Sequence, residues 1–159
     1  VVAPNHSGVL RRRAVDALKH GRNEEGVALL VQMVRHRGHA EAAQGLARLA
    51  ALPGGMALLR PHLHEAKQWL PSVLHAMQGL KIPAPQALPL VAEAMQRGQL
   101  AEDARRAYMR SLKAGGFWLD AYGLWLSQHG QVVPLLYNGS FDAPFEMDED
   151  RPHRLHPRR

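Results

Sequence analysis

The chain has 159 residues, enough for one domain with its own core, and no cysteine, which excludes a disulfide framework, a thiolate metal site and a thiol nucleophile. Its 20 Lys and Arg exceed its 14 Asp and Glu for a formal net charge of +6, and 10 His can add charge below neutral pH, so anionic partners enter consideration. No run reaches the roughly 18–20 uninterrupted apolar residues of a membrane span, and residues 1–6 hold neither an initiating Met nor an apolar signal core, so a fragment or a processed form is expected.

Leu10, Ala14, Ala17 and Leu18 fall at helical spacing and predict a first helix that stops at His20-Gly21, where Gly can take the left-handed C-cap conformation. Asn23 is placed to cap a second helix, with Glu24 and Glu25 in its positive first turn and Val27, Leu30, Val31 and Val34 as its apolar stripe. His36 and His39 flank the end of that helix, where a protonated imidazole suits the carbonyl dipole. Ala42, Leu46, Leu49 and Ala50 predict a third helix, closed by Pro53-Gly54-Gly55.

Residues 56–80 are apolar and helical in pattern, but Pro61 and Pro71 each remove a backbone donor, so two short helices or one kinked helix are expected. Residues 81–85, with Pro83 and Pro85, read as a linker. Leu88, Val91, Ala92 and Met95 then form a stripe ending at Arg97-Gly98. Leu100, Ala104, Ala107, Tyr108 and Leu112 lie on one face of the next helix. After Gly115-Gly116, Trp118, Tyr122, Trp125 and Leu126 share one face of a last helix that ends at Gly130.

From Gln131 the pattern changes. Val132, Val133, Leu135, Leu136 and Tyr137, followed by the turn-forming pair Asn138-Gly139, predict an extended segment that packs on the last helices over residues 131–146. Residues 147–159 combine an acidic cluster with Arg, His and Pro, too little apolar surface to offset chain ordering, and read as a disordered tail. The helical domain is thus expected over residues 1–130.

The unit Ala17-Leu18-Lys19-His20-Gly21-Arg22-Asn23-Glu24-Glu25-Gly26, with Leu30 and Met33 after it, resembles the tetratricopeptide repeat, in which two helices meet at a Gly turn and a small residue follows five positions on, here Gly26. Gly98-Gln99-Leu100-Ala101-Glu102-Asp103-Ala104, with Tyr108 and Leu112, is similar to a second, looser copy carrying one extra residue, and residues 90–95 would be its first helix. The resemblance covers half of the chain, and the Pro-containing centre departs from a regular unit. It implies an all-α fold, antiparallel helical hairpins stacked as a short right-handed solenoid, with a concave face that takes a peptide or helix of another protein. The Lys, Arg and Asn carboxylate clamp of some members is not carried over, since the Asn residues here are Asn5, Asn23 and Asn138. Leu135 to Asp142 also resemble the opening strand of bacterial β-sandwich domains, and helical-repeat proteins with such an ending look like those of bacterial surface-polysaccharide production and export, which places the expected site in the periplasm or cell envelope rather than the cytoplasm.

Catalytic signals are sparse. His62, His64 and Glu65 stand at a spacing that sends i and i+2 to different sides of a helix, and no HExxH exists, so no metal or cofactor is expected. Glu24-Glu25 and Glu102-Asp103 sit in predicted first helical turns, where the macrodipole accounts for them, and no Ser stands in a nucleophile elbow. A non-enzymatic protein-binding scaffold is therefore the expected function. Candidate partner-binding residues are Phe117, Trp118, Tyr122 and Trp125 with Arg105, Arg106 and Arg110. The helical spacing of the aromatics points to packing in the core of the last hairpin; an exposed stripe would instead receive a partner helix or a further domain. Two other readings stay open: nucleic-acid binding by Arg11, Arg12 and Arg13 and the run from Arg105 to Lys113, and glycan binding by the aromatic cluster.

Overall fold

The computed structural model describes residues 7–129, and every regular element among them is helical. Helix α1 (Ser7–Lys19) and α2 (Asn23–Arg37) form a hairpin, followed by α3 (Ala40–Ala51), the short α4 (Gly55–Leu59) and a 3-10 turn at Arg60–Glu65. Then come α5 (Ala66–Gly79), a second 3-10 turn at Ala84–Ala87, α6 (Leu88–Gln96), α7 (Glu102–Ala114) and α8 (Trp118–His129). No helix among the described residues is long and apolar enough to cross a membrane. The extended segment expected at 131–146 and the tail at 147–159 lie outside the described residues.

Helix ends are set by one recurring device. At Gly21 the backbone turns to φ 73°, and the Arg22 amide reaches back to the Ala17 carbonyl at 2.8 Å. Gln99 to Ala94 (2.7 Å) and Phe117 to Leu112 (2.9 Å) repeat the bond after Gly98 and Gly116. The end of α5 makes the same turn without Gly: Lys81 stands at φ 57°, and Ile82 donates to the Met77 carbonyl at 2.9 Å. Helix starts differ. From α2 to α7, no N-cap side chain donates or accepts a capping hydrogen bond. Asn23, expected as a cap, is the first residue of α2; the N-cap is Arg22, whose carbonyl takes the Gly26 amide at 3.0 Å, because the Gly21 turn delivers the chain into the helix one residue early. The expected linker at 81–85 likewise tightens into a 3-10 turn from Ala84, where the Gln86 amide closes on the Pro83 carbonyl at 3.1 Å.

At the amino end α1 packs on α2 and α2 on α3; α5 then packs on α3 and α2, α6 on the two 3-10 turns and α4, and α7 on α5, the Ala84–Ala87 turn and α8. Leu10, Ala14 and Ala17 of α1 are buried, and Gly26 of α2 comes so close to α1 that an added Cβ would lie 2.6 Å from the Leu18 side chain. Arg22 fastens this first turn by ion pairs to Asp16 (2.6 Å) and Glu25 (2.7 Å).

In the centre, α5 continues through Pro71, and Trp69 in its first turn is the largest fully buried side chain. Its indole Nε1–H donates to the His62 carbonyl at 3.0 Å, which fixes the 3-10 turn Arg60–Glu65 on top of the core. Arg35 of α2 holds the same turn from the other side, pairing with Glu65 at 2.7 Å and donating to Gln68 at 2.9 Å. Arg60 joins the turn to Glu93 of α6 at 3.1 Å.

Tyr108 of α7 repeats the Trp69 arrangement. Its ring is buried and its hydroxyl donates to the Ala84 carbonyl at 2.6 Å, tying α7 to the second 3-10 turn. Burial, and after it the Asp120 carboxylate, push the phenol well above its ordinary range. Folding therefore favours the neutral phenol. That contribution is complete below about pH 10 and is lost as pH rises above it toward the folded value.

Two measurements check these points. Replacing Lys81 by Gly removes a left-handed strain of about 1–2 kcal/mol and restores about 0.4–1 kcal/mol of unfolded-state entropy. Lys81→Gly is thus expected to gain about 0.5–1 kcal/mol in urea denaturation. Tyr108→Phe leaves the Ala84 carbonyl unpaired and is expected to lose about 1–2 kcal/mol, while showing a shallower loss of stability than wild type above pH 10.

Candidate functional site

The residues expected to carry function converge on the last hairpin, α7 and α8, but in three different roles. Arg105 holds the hairpin together: it donates from Nε to Glu102 at 2.9 Å and from Nη1 to Gln128 of α8 at 2.8 Å, and a second guanidinium nitrogen meets the same carboxylate. The Gln128 amide also reaches the Met95 sulfur of α6 at 3.9 Å. Glu102 accepts from Arg106 Nε at 3.3 Å as well. The Arg105 hydrogen bond is the main cause that holds the Glu102 carboxyl below its ordinary range.

Phe117 is structural too. Its ring lies against Gly115, where an added Cβ would stand 2.7 Å from the ring edge, and it packs on the core. Gly115 thus leaves room for the ring to lie against the turn between the helices.

Of the remaining aromatics, Trp125 packs against the core as expected, whereas Trp118 and Tyr122 do not. Ala121 and Leu124 are the buried residues of α8, whereas Trp118 is 56% and Tyr122 38% exposed. Trp125 is half-buried and stacks on Tyr122 with ring centroids 6.1 Å apart and planes within 15°. The physical reason is that α8 packs chiefly on α7, with Ala121 and Leu124 inward, and meets α6 where Gln128 reaches Met95, which leaves Trp118 and Tyr122 outside the contact. Leu119, which the periodic reading passed over because it falls outside the i, i+4, i+7 set, is 86% exposed and extends the same apolar surface.

Two interactions, one electrostatic and one a hydrogen bond, show which residues share a side. Asp120 acts on Tyr108 at one flank of the hairpin, and Arg105 meets Gln128 at the other. Stepping around α7 past Arg105 gives Lys113, Arg106 and Arg110; stepping around α8 past Gln128 gives Trp125, Trp118 and Tyr122, then Leu119. Because the helices run antiparallel, both steps lead to the same side. A basic stripe thus lies beside an exposed aromatic stripe.

Elsewhere, α3 and α5 enclose an open groove of about 590 Å³ lined by Ala40, Ala43, Gln44, Ser72, His75 and Ala76. None of its residues was named from the sequence as a candidate functional residue. His62 is held below its ordinary range by burial first and by His64 second, and its neighbour Glu65 is the partner of Arg35, so this cluster serves the central turn. His39 proves to be the N-cap residue of α3 and has its Nδ1 buried without a partner. No group of three or more His, Cys, Asp or Glu among the described residues is placed to hold a metal ion. Compared with known proteins, the chain matches no family model, no curated protein and no solved structure.

The pH dependence of the hairpin follows from Glu102. Since its folded pKa is depressed, its contribution is present above the carboxylate range and lost as pH falls through the folded value. Glu102→Gln is expected to lower the thermal midpoint slightly at neutral pH, by well under 1 kcal/mol for so exposed a carboxylate, and the gap to wild type is expected to close on acidification.

Proposed function

We propose that this chain is a non-enzymatic, tetratricopeptide-like scaffold that docks a protein partner on the outer side of its α7–α8 hairpin. The observation that carries the reading is the exposed surface of Trp118, Leu119 and Tyr122 beside Arg106 and Arg110. Exposed Trp is costly to leave in water, and Trp, Tyr and Arg are the residue types that dominate protein interfaces. The stack of aromatic rings also presents rigid area with little side-chain entropy to lose on binding.

The repeat character is supported by the first hairpin, where a left-handed Gly21 and a close-packed Gly26 stand at the spacing that the resemblance requires. Sequential packing of α1, α2 and α3, and again of α7 and α8, is what a stacked array would give, whereas α6 packs on the two 3-10 turns and α4. The second copy is looser: α7 takes its neighbours from α5, the Ala84–Ala87 turn and α8. We therefore read the array as degenerate, with its specificity concentrated at the α7–α8 end.

The test is affinity capture from a lysate of the native organism at low and high salt, with wild type and Leu119→Asp side by side. Leu119 is exposed enough for the substitution to leave the melting midpoint unchanged. The expected outcome is a protein retained by wild type at both salt concentrations and lost by Leu119→Asp. Nucleic acid bound equally by both and released as salt rises overturns the reading in favour of a basic nucleic-acid face.

A further inference from the structure

The 3-10 turn Arg60–Glu65 carries two imidazoles, His62 and His64, at the point where Trp69 anchors it to the core. Residue 62 has two duties that conflict in acid. Its carbonyl accepts the Trp69 indole hydrogen at 3.0 Å, which holds the turn down, and its side chain is partly buried in that position. A neutral imidazole tolerates the site, whereas a charged one needs water, because burial penalises the charged form. Hydrating the ring means lifting the turn, and lifting the turn breaks the Trp69 bond.

The surroundings hold no free countercharge. The turn packs on α4, α5 and α6, and Arg35 reaches it from α2. Helix α4 has no titratable side chain, α5 has Lys67 beside the turn and His75 further along, and α6 has Glu93. The carboxylates of the turn and of these three helices are therefore Glu65 and Glu93, and both are taken: Glu65 by Arg35 at 2.7 Å, Glu93 by Arg97 at 2.6 Å and by Arg60 at 3.1 Å. His64 donates from Nδ1 to the Pro61 carbonyl at 2.8 Å, so an added proton goes to its Nε2, which lies 3.8 Å from the Glu65 carboxylate that Arg35 already holds. Protons on both imidazoles thus join Arg35, Arg60 and Lys67 against those two carboxylates. Burial first and His64 second hold His62 below its ordinary range, and Glu65 opposes them. The contribution of the neutral ring to stability is therefore present above about pH 6.5, the ordinary imidazole value, and is lost as pH falls through the folded one.

We propose that the Arg60–Glu65 turn is an acid-released latch: protons on His62 and His64 lift it from Trp69 and loosen the link that runs from Arg35 of α2 through the turn to Glu93 of α6, while the α1–α2 hairpin stays folded. The latch uses no residue of the α7–α8 face, so it stands or falls apart from the docking reading.

The test follows hydrogen exchange of the Trp69 indole N–H in the full chain by nuclear magnetic resonance, at about pH 7.5 and about pH 5.5, either side of the imidazole range. Rates are corrected for the pH dependence of exchange itself. Protection of that hydrogen is expected to fall several-fold in acid, while the amides of α1 and α2 keep theirs. His62→Gln, which stays polar but takes no proton, and His64→Gln are each expected to reduce the fall. His64 is exposed, so its variant remains readable if the first is destabilised. His75→Gln, which removes an exposed imidazole of α5 away from the turn, is expected to leave the fall as in wild type. Constant protection in wild type overturns the inference, as does a fall of wild-type size in either turn variant. An equal loss in α1 and α2 overturns it too, since acid then unfolds the whole domain, and so does a His75→Gln effect as large as that of the turn variants.

Discussion

The hydrogen bond from the Trp69 indole to the His62 carbonyl is the contact on which the middle of this protein depends. Between α3 and α5 the chain must pass two prolines, and Pro61 denies the Arg60–Glu65 turn an ordinary helical ladder. The inner side of the turn, where Leu63 is buried, gains another donor from Trp69, which also fills the largest volume in the core. Loss of an aromatic side chain of this size costs about 3–5 kcal/mol, and an orphaned carbonyl adds about 1–3 kcal/mol. Set against a typical total of about 5–15 kcal/mol, one residue carries a large share of the fold. Arg35 and Arg60 then attach the turn to α2 and α6, so helices remote in sequence inherit their positions from it.

Tyr108 applies the same solution at the second 3-10 turn. In both places a large ring goes inside and its polar edge meets a carbonyl that the turn leaves free, so that packing and hydrogen bonding favour one arrangement. The α7–α8 hairpin hangs from this second anchor. Its outward surface is therefore presented by a supported element, which is what a docking face requires.

The helices themselves were legible in the sequence because their punctuation is local. Gly21, Gly98 and Gly116 mark ends that depend only on backbone sterics, and the apolar spacing between them gives the buried faces of α1, α3 and α5. Lys81 was not legible as an end, since nothing in its side chain announces a left-handed backbone. The candidate site was legible in its residue types but not in its orientation. Trp118, Tyr122 and Trp125 do share a face, yet periodicity cannot say which face a neighbour covers, and on α8 that role falls to Ala121 and Leu124. Arg105 and Arg106 are adjacent in sequence and look alike; only the position of Gln128 makes the first a strut of the hairpin.

The contrast between helix starts and helix ends gives the molecule a direction. Each of α1, α5, α6 and α7 finishes in a closed turn that satisfies late carbonyls, whereas from α2 to α7 no N-cap side chain makes a capping hydrogen bond. Fraying of α5, α6 and α7 is therefore expected to begin at the amino end rather than at the sealed carboxyl end. Each would open as a one-way zipper, pinned at the turn that hands it to the next.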